Sequence, residues 1–268
     1  MSEFYYELVV KPQENLEFFS SLLLELTGSA IEHKDDMLIV RSEDELDDIV
    51  WVLEQTAKKL DTKVELNLSK KQNEDWINKY KSSIKPVQIA SYYIRPEWVE
   101  KKENLTDIII NPALAFGSGH HESTSSCIEL IDSYVNKNMT VLDVGTGSGI
   151  LGICASKKDA VVDICDTDEL AVESAKENFK LNLASFENFW VGSANKTQKT
   201  YDLVIANIIA DIIIMINQDL KNRVGESGYL ILSGIIDKYF EKVKDKFSDF
   251  ELVEHIHKGE WNTLLLKK

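Results

Sequence analysis

The spacing of apolar residues changes several times within the first 68 positions, and each change marks a different element. The predicted elements are a strand over 4–10, a helix over 12–27, short strands over 30–33 and 37–41, a helix over 42–60 and a strand over 62–68. The second helix is expected to begin at Ser42, because Ser42 and Glu45 form the S-x-x-E pattern of a capping box. The order βαββαβ predicts a small α+β, ferredoxin-like domain over 1–68.

Residues 69–100 predict a connector between two domains. A polar, amphipathic helix is expected over 74–83 and a hairpin over 87–98. Trp76, Tyr80 and Trp98 are candidate functional aromatics, although packing of the connector against one domain is the favoured interpretation.

From residue 101 to the end, apolar strands alternate with helical patterns, which predicts a second domain built on an open α/β sheet. The predicted strands are 108–111, 140–144, 161–165, 201–207 and 228–233, the predicted helices include 122–135, 208–224 and 235–247, and two more strands form a closing hairpin after residue 249. Seven strands ending in a hairpin are therefore expected. The pair His255 and His257 in this hairpin is interpreted as structural.

The centre of the second domain is a glycine-rich turn between a strand and a helix. Gly145, Gly147 and Gly149 stand at alternate positions after the strand 140–144, and glycines there let the backbone turn sharply and pass close to a ligand. The next strand leads to Asp166, where a carboxylate can accept hydrogen bonds from the two hydroxyls of a ribose. The pattern predicts the nucleoside-binding half of an α/β sheet, the alternative being a glycine turn without that role.

The spacing of the glycines favours one nucleoside cofactor over another. A dinucleotide site has the pattern G-x-G-x-x-G, but Ile150 stands where its third glycine would be. Asp143, two residues before the first glycine, suits the sulfonium and ammonium groups of S-adenosylmethionine better than a pyrophosphate. The motif resembles that of Rossmann-like S-adenosylmethionine-dependent methyltransferases, and a nicotinamide-dependent dehydrogenase is the weaker alternative.

Two further segments are expected to reach the same site. A loop precedes the helix over 122–135, and Thr124 offers a hydroxyl in the first turn of that helix. Asn207 ends an apolar strand at the ligand edge of the sheet, where it can accept a hydrogen bond from a substrate amine, hold the cofactor, or cap the next helix. His120 and His121 lack a third ligand at a suitable spacing, so no metal site is expected.

Charge and composition limit the kinds of binding partner and the cellular compartment that are expected. The chain has 268 residues and a net charge of −15, which disfavours direct binding of nucleic acid and favours a basic macromolecular partner. Residues 1–66 hold 16 acidic and 6 basic residues, so this region is either a solvated acidic face or a docking module. Without a membrane span or a signal-like start, the cytoplasm is expected. Cys127, Cys154 and Cys165 are expected to be small core residues.

Four segments together resemble one bacterial family, the methyltransferases that modify ribosomal protein L11. The segments are, in order, NPALAFGSGHHEST, VLDVGTGSGIL, ANIIA and LSGI, and the resemblance covers essentially the full length. It implies trimethylation of lysine side chains and of the N-terminal α-amine, with the first domain recognising the basic ribosomal protein. Matching motifs place cofactor contacts on Thr124, Gly145, Asp166 and Asn207, and the glycine turn itself adds Gly147 and Asp143.

The chain departs from the family loop at four positions. The loop more often reads G-T-G-T-H-P-T-T in the family, and the differing residues here are Ser118, His120, Glu122 and Ser123. Because the binding Thr124 is retained, catalysis is still expected, while the rigidity of the loop is expected to differ without the proline.

The chemistry implied by the resemblance needs few catalytic groups. A neutral amine has to be aligned with an already activated methyl group, so proximity and orientation supply most of the effect. Asn207 is the candidate catalytic residue, and no dedicated base is identified. The alternatives are a methyltransferase for another protein or a small molecule, and a non-catalytic ribosome-associated module.

Overall fold

The computed structural model of the protein describes residues 4–27, 31–34, 36–42, 44–60, 62–72, 85–110 and 121–268. These residues form two compact units, one within Met1–Ile84 and the other within Lys85–Lys268. The helix predicted over 74–83, with Trp76 and Tyr80, lies outside the described residues. So does the loop over 111–120, with His120.

The first unit has the predicted βαββαβ order. Its elements are β1 (Phe4–Pro12), α1 (Leu16–Thr27), β2 (Ile31–Lys34), β3 (Met37–Ser42), α2 (Asp47–Lys59) and β4 (Val64–Gln72). The four strands pair antiparallel in the order β2-β3-β1-β4, which is the ferredoxin-like arrangement. Alternate residues of β1, Leu8 and Val10, are fully buried together with Phe19 and Leu23 of α1, so the helices cover one face of the sheet.

The capping box predicted at the start of α2 is wrong. Ser42 pairs with Tyr6 in the β1–β3 ladder and therefore ends a strand, and its hydroxyl accepts a hydrogen bond from the backbone N–H of Asp44 at 3.0 Å. Glu45 accepts a hydrogen bond from the Tyr6 hydroxyl at 3.1 Å. The helix begins at Asp47 after Leu46, which makes no side-chain capping bond. Strand pairing has overridden the local helix-start signal.

The second unit begins with a small sheet. It comprises β5 (Val87–Ile89), β6 (Tyr92–Arg95) and β7 (Thr106–Ile109), with β5 and β6 antiparallel and β6 and β7 parallel. The predicted hairpin is confirmed, although it falls in this unit and not in a separate connector. The strand predicted over 108–111 also belongs here, so it is not one of the seven strands of the large sheet.

The large sheet has seven strands in the order β10-β9-β8-β11-β12-β14-β13. Its strands are β8 (Thr140–Val144), β9 (Val161–Asp166), β10 (Asn188–Val191), β11 (Tyr201–Asn207), β12 (Val224–Ile236), β13 (Glu251–Lys258) and β14 (Trp261–Lys267). The first five in spatial order are parallel, and β14 and β13 are antiparallel to their neighbours. This is the predicted Rossmann-like methyltransferase sheet with a closing hairpin.

Helices cover both faces of the large sheet. They are α3 (Glu122–Tyr134), α4 (Ile150–Ser156), α5 (Glu169–Leu181), α6 (Ala210–Met215), α7 (Asn217–Arg223) and α8 (Asp237–Lys246). Neighbours on β11, such as Leu203 and Val204, belong to separate cores on opposite faces, and both are fully buried. Cys127, Cys154 and Cys165 are buried as expected. No helix of the described residues is long and apolar enough to cross a membrane.

Two elements of this unit differ from the predicted pattern. The edge strand β10 was not predicted. It has only four residues, and because Phe189 and Val191 are exposed, its sequence lacks the pattern of a buried strand. The single helix predicted over 208–224 is divided at Ile216 into α6 and α7.

Candidate cofactor and acceptor site

A cavity of about 660 Å³ opens at the edge of the large sheet where the parallel strands end. Its wall includes Asp166 of β9, Gly145 after β8, Asn207 of β11, Gly234 of β12 and Trp261 of β14. The antiparallel strand β14 begins at this same edge, since Trp261 pairs with Ile236 near the end of β12. The cavity therefore crosses five adjacent strands at the position where open α/β sheets bind ligands.

The glycine turn forms the floor next to β8. Gly145, Gly147 and Gly149 have φ values of 74°, 52° and 82°, in the region that side chains disfavour. A Cβ atom at Gly145 would lie 2.3 Å from Cγ2 of Ile208, so a side chain there would force Ile208 to move. Glycine is thus required both by the backbone conformation and by the close approach of the segment after β11.

Asp166 presents a fixed carboxylate to the cavity. Its Oδ2 accepts a hydrogen bond from the backbone N–H of Gly147 at 3.0 Å, and its Oδ1 accepts one from the N–H of Asp168 at 3.0 Å. An ionised carboxylate has about four acceptor positions, so both oxygens retain capacity for a ligand's hydroxyl groups. The turn and the following helix start therefore hold Asp166 in a defined orientation.

Asn207 and Thr124 are brought together although Thr124 does not line the cavity. The side-chain Nδ2 of Asn207 donates a hydrogen bond to Oγ1 of Thr124 at 3.2 Å, and Thr124 is almost fully buried in the first turn of α3. With Nδ2 so engaged, Oδ1 of Asn207 is the acceptor that remains for the cavity. The alternative that Asn207 caps the next helix is wrong, because the N-cap of α6 is Ile209.

Asp143 lies beneath the glycine turn and does not line the cavity. Its Oδ2 accepts hydrogen bonds from the Thr146 hydroxyl at 2.7 Å and from the Gly152 N–H at 3.1 Å, while Oδ1 has no partner among the described residues. Complete burial, assisted by the nearby charge of Asp166, raises the pKa of Asp143 to about 6. The structure thus places this carboxylate as a support of the turn.

Several cavity residues were not singled out in the sequence. Trp261 is one, and His121 was considered only as a metal ligand or a base. His121 is the N-cap of α3, its Nδ1 accepts a hydrogen bond from the Ser123 N–H at 3.3 Å, and its ring lies 4.5 Å from that of Trp261 at an angle of 70°. The described residues contain no group of three or more potential ligands suited to a metal ion.

The wall changes character from one end of the cavity to the other. Near β9 it offers the Asp166 carboxylate and the backbone of Gly192, whose N–H donates to the Asp166 carbonyl oxygen at 2.7 Å. Beyond β11 it is apolar and aromatic, with contributions from Ile208, Ile212 and Trp261. A carboxylate suited to a ribose, a glycine turn and an apolar wall fit S-adenosylmethionine, and the described lining residues include no lysine or arginine to neutralise a pyrophosphate.

The sheet and this site define a Rossmann-like S-adenosylmethionine-dependent methyltransferase. The sequence profile described as "Ribosomal protein L11 methyltransferase (PrmA)" matches residues 14–268. The chain therefore belongs to the ribosomal protein L11 methyltransferase family.

Individual relatives agree with this assignment. The chain is 50% identical over 273 residues to "Ribosomal protein L11 methyltransferase" of a Nitratiruptor species, covering 100% of this chain and 97% of that protein. It is 46% identical over 269 residues to the protein of the same name from Campylobacter fetus subsp. fetus, covering 100% and 98%. The crystal structure of a ribosomal protein L11 methylase from Lactobacillus delbrueckii subsp. bulgaricus superposes with a TM-score of 0.64 at 30% identity, covering 68% of this chain and 97% of that one.

Proposed function

We propose that this protein transfers methyl groups from S-adenosylmethionine to amino groups of ribosomal protein L11, on lysine side chains and on the N-terminal α-amine. The observation that supports this most is a cavity with a ribose-type carboxylate at one end and an apolar and aromatic wall at the other, in a chain 50% identical to a relative named for this activity. A ribosomal substrate implies that the reaction takes place in the cytoplasm.

The cofactor would be held mainly by backbone and carboxylate groups. Asp166 is placed to accept hydrogen bonds from the ribose hydroxyls, while Gly145 and Gly147 allow the ligand to approach the backbone closely. Thr124 would act through Asn207, whose amide it orients, and Asp143 would act by holding the turn. When bound, S-adenosylmethionine supplies a methyl group activated by its sulfonium.

The protein's own contribution to the reaction would be to align a neutral amine. A lysine side chain has a pKa near 10.4 in water, and its charged form is disfavoured next to apolar residues such as Ile208 and Ile212. Oδ1 of Asn207 is available to accept a hydrogen bond from an N–H of the neutral amine and so to direct its lone pair. Two of the described lining residues, Asp166 and His121, have titratable side chains. Asp166 would be occupied by the cofactor, so it is not free to act on the amine.

The first unit would recognise the basic ribosomal protein. Sixteen acidic residues against six basic ones in residues 1–66 favour a basic partner through electrostatic attraction. On α2, Asp47 and Trp51 are four positions apart and so share one face, where Trp51 is 62% exposed. An exposed tryptophan beside acidic residues is suited to a protein contact, and direct nucleic-acid binding is not expected.

Mass spectrometry of ribosomal proteins tests this function directly. Cells lacking the gene should carry ribosomal protein L11 without the methyl groups found in cells that have it, and the purified enzyme with S-adenosylmethionine should restore them. Unchanged L11 together with a methyl group on another protein or a small molecule would favour the alternative substrates. Binding to ribosomes without any methyl transfer would favour the non-catalytic module.

A further inference from the structure

The cavity extends beyond the part that the cofactor would occupy. Its wall follows the strand order β9-β8-β11-β12-β14, so four strand spacings of about 4.8 Å separate Asp166 from Trp261, roughly 19 Å in all. A ribose at Asp166 places the cofactor over β9 and β8. The part between Asn207 and Trp261 is then left for the methyl acceptor.

Trp261 is held firmly at this far end. It begins β14, is paired with Lys258 across the hairpin and with Ile236 of β12, and its ring packs against that of His121 in an edge-to-face arrangement. His121 is itself fixed, because its Nδ1 accepts the hydrogen bond from Ser123 at the start of α3. The aromatic wall is therefore formed by Trp261 of β14, which is paired to β12, and by His121 at the N-cap of α3.

We infer that two different residues position the acceptor at different stages of the reaction, with Asn207 directing the amine in the early transfers and Trp261 in the third. This inference rests on the proposed function. It assigns to Trp261 a positioning role that sets how many methyl groups are added.

The reason lies in the number of N–H groups on the acceptor. A neutral primary amine has two N–H donors and a secondary amine has one, so Oδ1 of Asn207 can orient both. The neutral dimethylated acceptor is a tertiary amine and has none, so only van der Waals and aromatic contacts can direct its lone pair. Trp261 supplies such a surface.

The positive charge that remains on the product also favours an aromatic wall. In each transfer the lone pair of the amine forms a bond to the methyl carbon, the carbon–sulfur bond breaks, and its electron pair remains on sulfur. Positive charge thus moves from sulfur to nitrogen, and in the first two transfers the nitrogen then loses a proton to bulk water. The trimethylated nitrogen has no proton to lose and stays cationic, and an aromatic face stabilises such a quaternary ammonium.

The test compares Trp261→Ala, Trp261→Phe and Asn207→Ala in the full-length enzyme, with purified ribosomal protein L11 and excess S-adenosylmethionine. Mono-, di- and trimethylated species are followed by mass spectrometry over time. Trp261→Ala should lower the ratio of the third rate to the first by about tenfold, so that dimethylated sites accumulate. Trp261→Phe should largely restore that ratio. Asn207→Ala should change it in the opposite direction, by slowing the first transfer most.

A second readout does not depend on turnover. Without cofactor, wild-type enzyme should bind trimethylated L11 more tightly than unmethylated L11 in calorimetry, and Trp261→Ala should lose that preference. The inference would be overturned if Trp261→Ala left the ratio of the third rate to the first unchanged, or if Trp261→Phe lowered this ratio as much as Trp261→Ala does. If wild-type enzyme does not methylate L11 at all, it is the proposed function that fails.

Discussion

Asn207 and Thr124 are 83 positions apart in the chain, yet the amide of Asn207 donates a hydrogen bond to the hydroxyl of Thr124 at 3.2 Å. The bond joins the end of β11 to the first turn of α3. It fixes which end of the Asn207 amide is left to face the cavity. The orientation of the candidate catalytic group is thus controlled by a buried residue that is not among the residues lining the cavity.

Removing this support should impair catalysis while the fold remains intact. In Thr124→Val the hydroxyl is lost at nearly constant volume, so the Asn207 amide is free to turn over. We expect kcat to fall about tenfold, consistent with the loss of one oriented hydrogen bond. Thr124→Ser, which keeps the hydroxyl, should retain most of the activity. Equal activity of the Val and Ser variants would show that the bond has no role in the reaction.

Asp166 is expected to carry much of the cofactor's binding energy. Asp166→Ala should weaken the binding of S-adenosylmethionine by roughly 1 to 3 kcal/mol, because charge-assisted hydrogen bonds to the ribose are lost. Calorimetry measures this directly. The matched control is Asp168→Asn, since Asp168 only caps α5 through the Leu170 N–H at 2.9 Å. If both variants bind the cofactor as the wild type does, the ribose lies elsewhere.

Asp143 should make folding stability depend on pH. Burial raises the pKa of Asp143 to about 6 in the folded protein, while in the unfolded chain it ionises near pH 4. The folded state therefore binds the proton more tightly, and stability from this group is highest below pH 4 and is lost as the pH rises to about 6. The loss should be on the order of 1 to 3 kcal/mol.

Urea unfolding of wild type and Asp143→Asn at pH values between 4 and 7 isolates this contribution. An asparagine can still accept the bonds from Thr146 and Gly152 but does not titrate. As the pH rises, the unfolding free energy of Asp143→Asn should therefore increase relative to that of the wild type. A difference that stays constant over this range would mean that Asp143 has an ordinary pKa.

The acidic first unit predicts a salt-sensitive encounter with the ribosomal protein. Raising the salt concentration should slow association, and replacing Asp47 and Asp48 of α2 by Asn should reduce that salt dependence. The corresponding replacement of the exposed Glu241 and Asp245 on α8, in the other unit, is the control. Stopped-flow association rates that do not respond to salt would indicate that the acidic residues form only a solvated surface.

Features coded by nearby residues could be predicted from the sequence. The glycine turn and Asp166 lie about twenty residues apart in one strand–helix–strand unit, so their spacing alone predicts a nucleoside site. The hairpin at the end and the βαββαβ order were predictable for the same reason, since each depends on local periodicity.

Features that depend on distant contacts could not be predicted in this way. Trp261 joins the cavity only because β14 inserts beside β12, and Gly234 is needed because its Cβ would lie 2.4 Å from the carbonyl oxygen of Ile208. Ser42 carried a helix-start signal that pairing with Tyr6 overrode. Asp143 was predicted next to the ligand, and its complete burial beneath the turn became visible only in the folded structure.

Methyl transfer can be tested most directly with purified enzyme, purified unmethylated ribosomal protein L11 and S-adenosylmethionine that carries an isotopically labelled methyl group. The label should appear on lysine ε-amino groups and on the N-terminal α-amine of L11, up to three methyl groups at each, and Asp166→Ala should slow its appearance. Binding of the labelled cofactor by a folded enzyme, with no label transferred to L11, would contradict the proposed function.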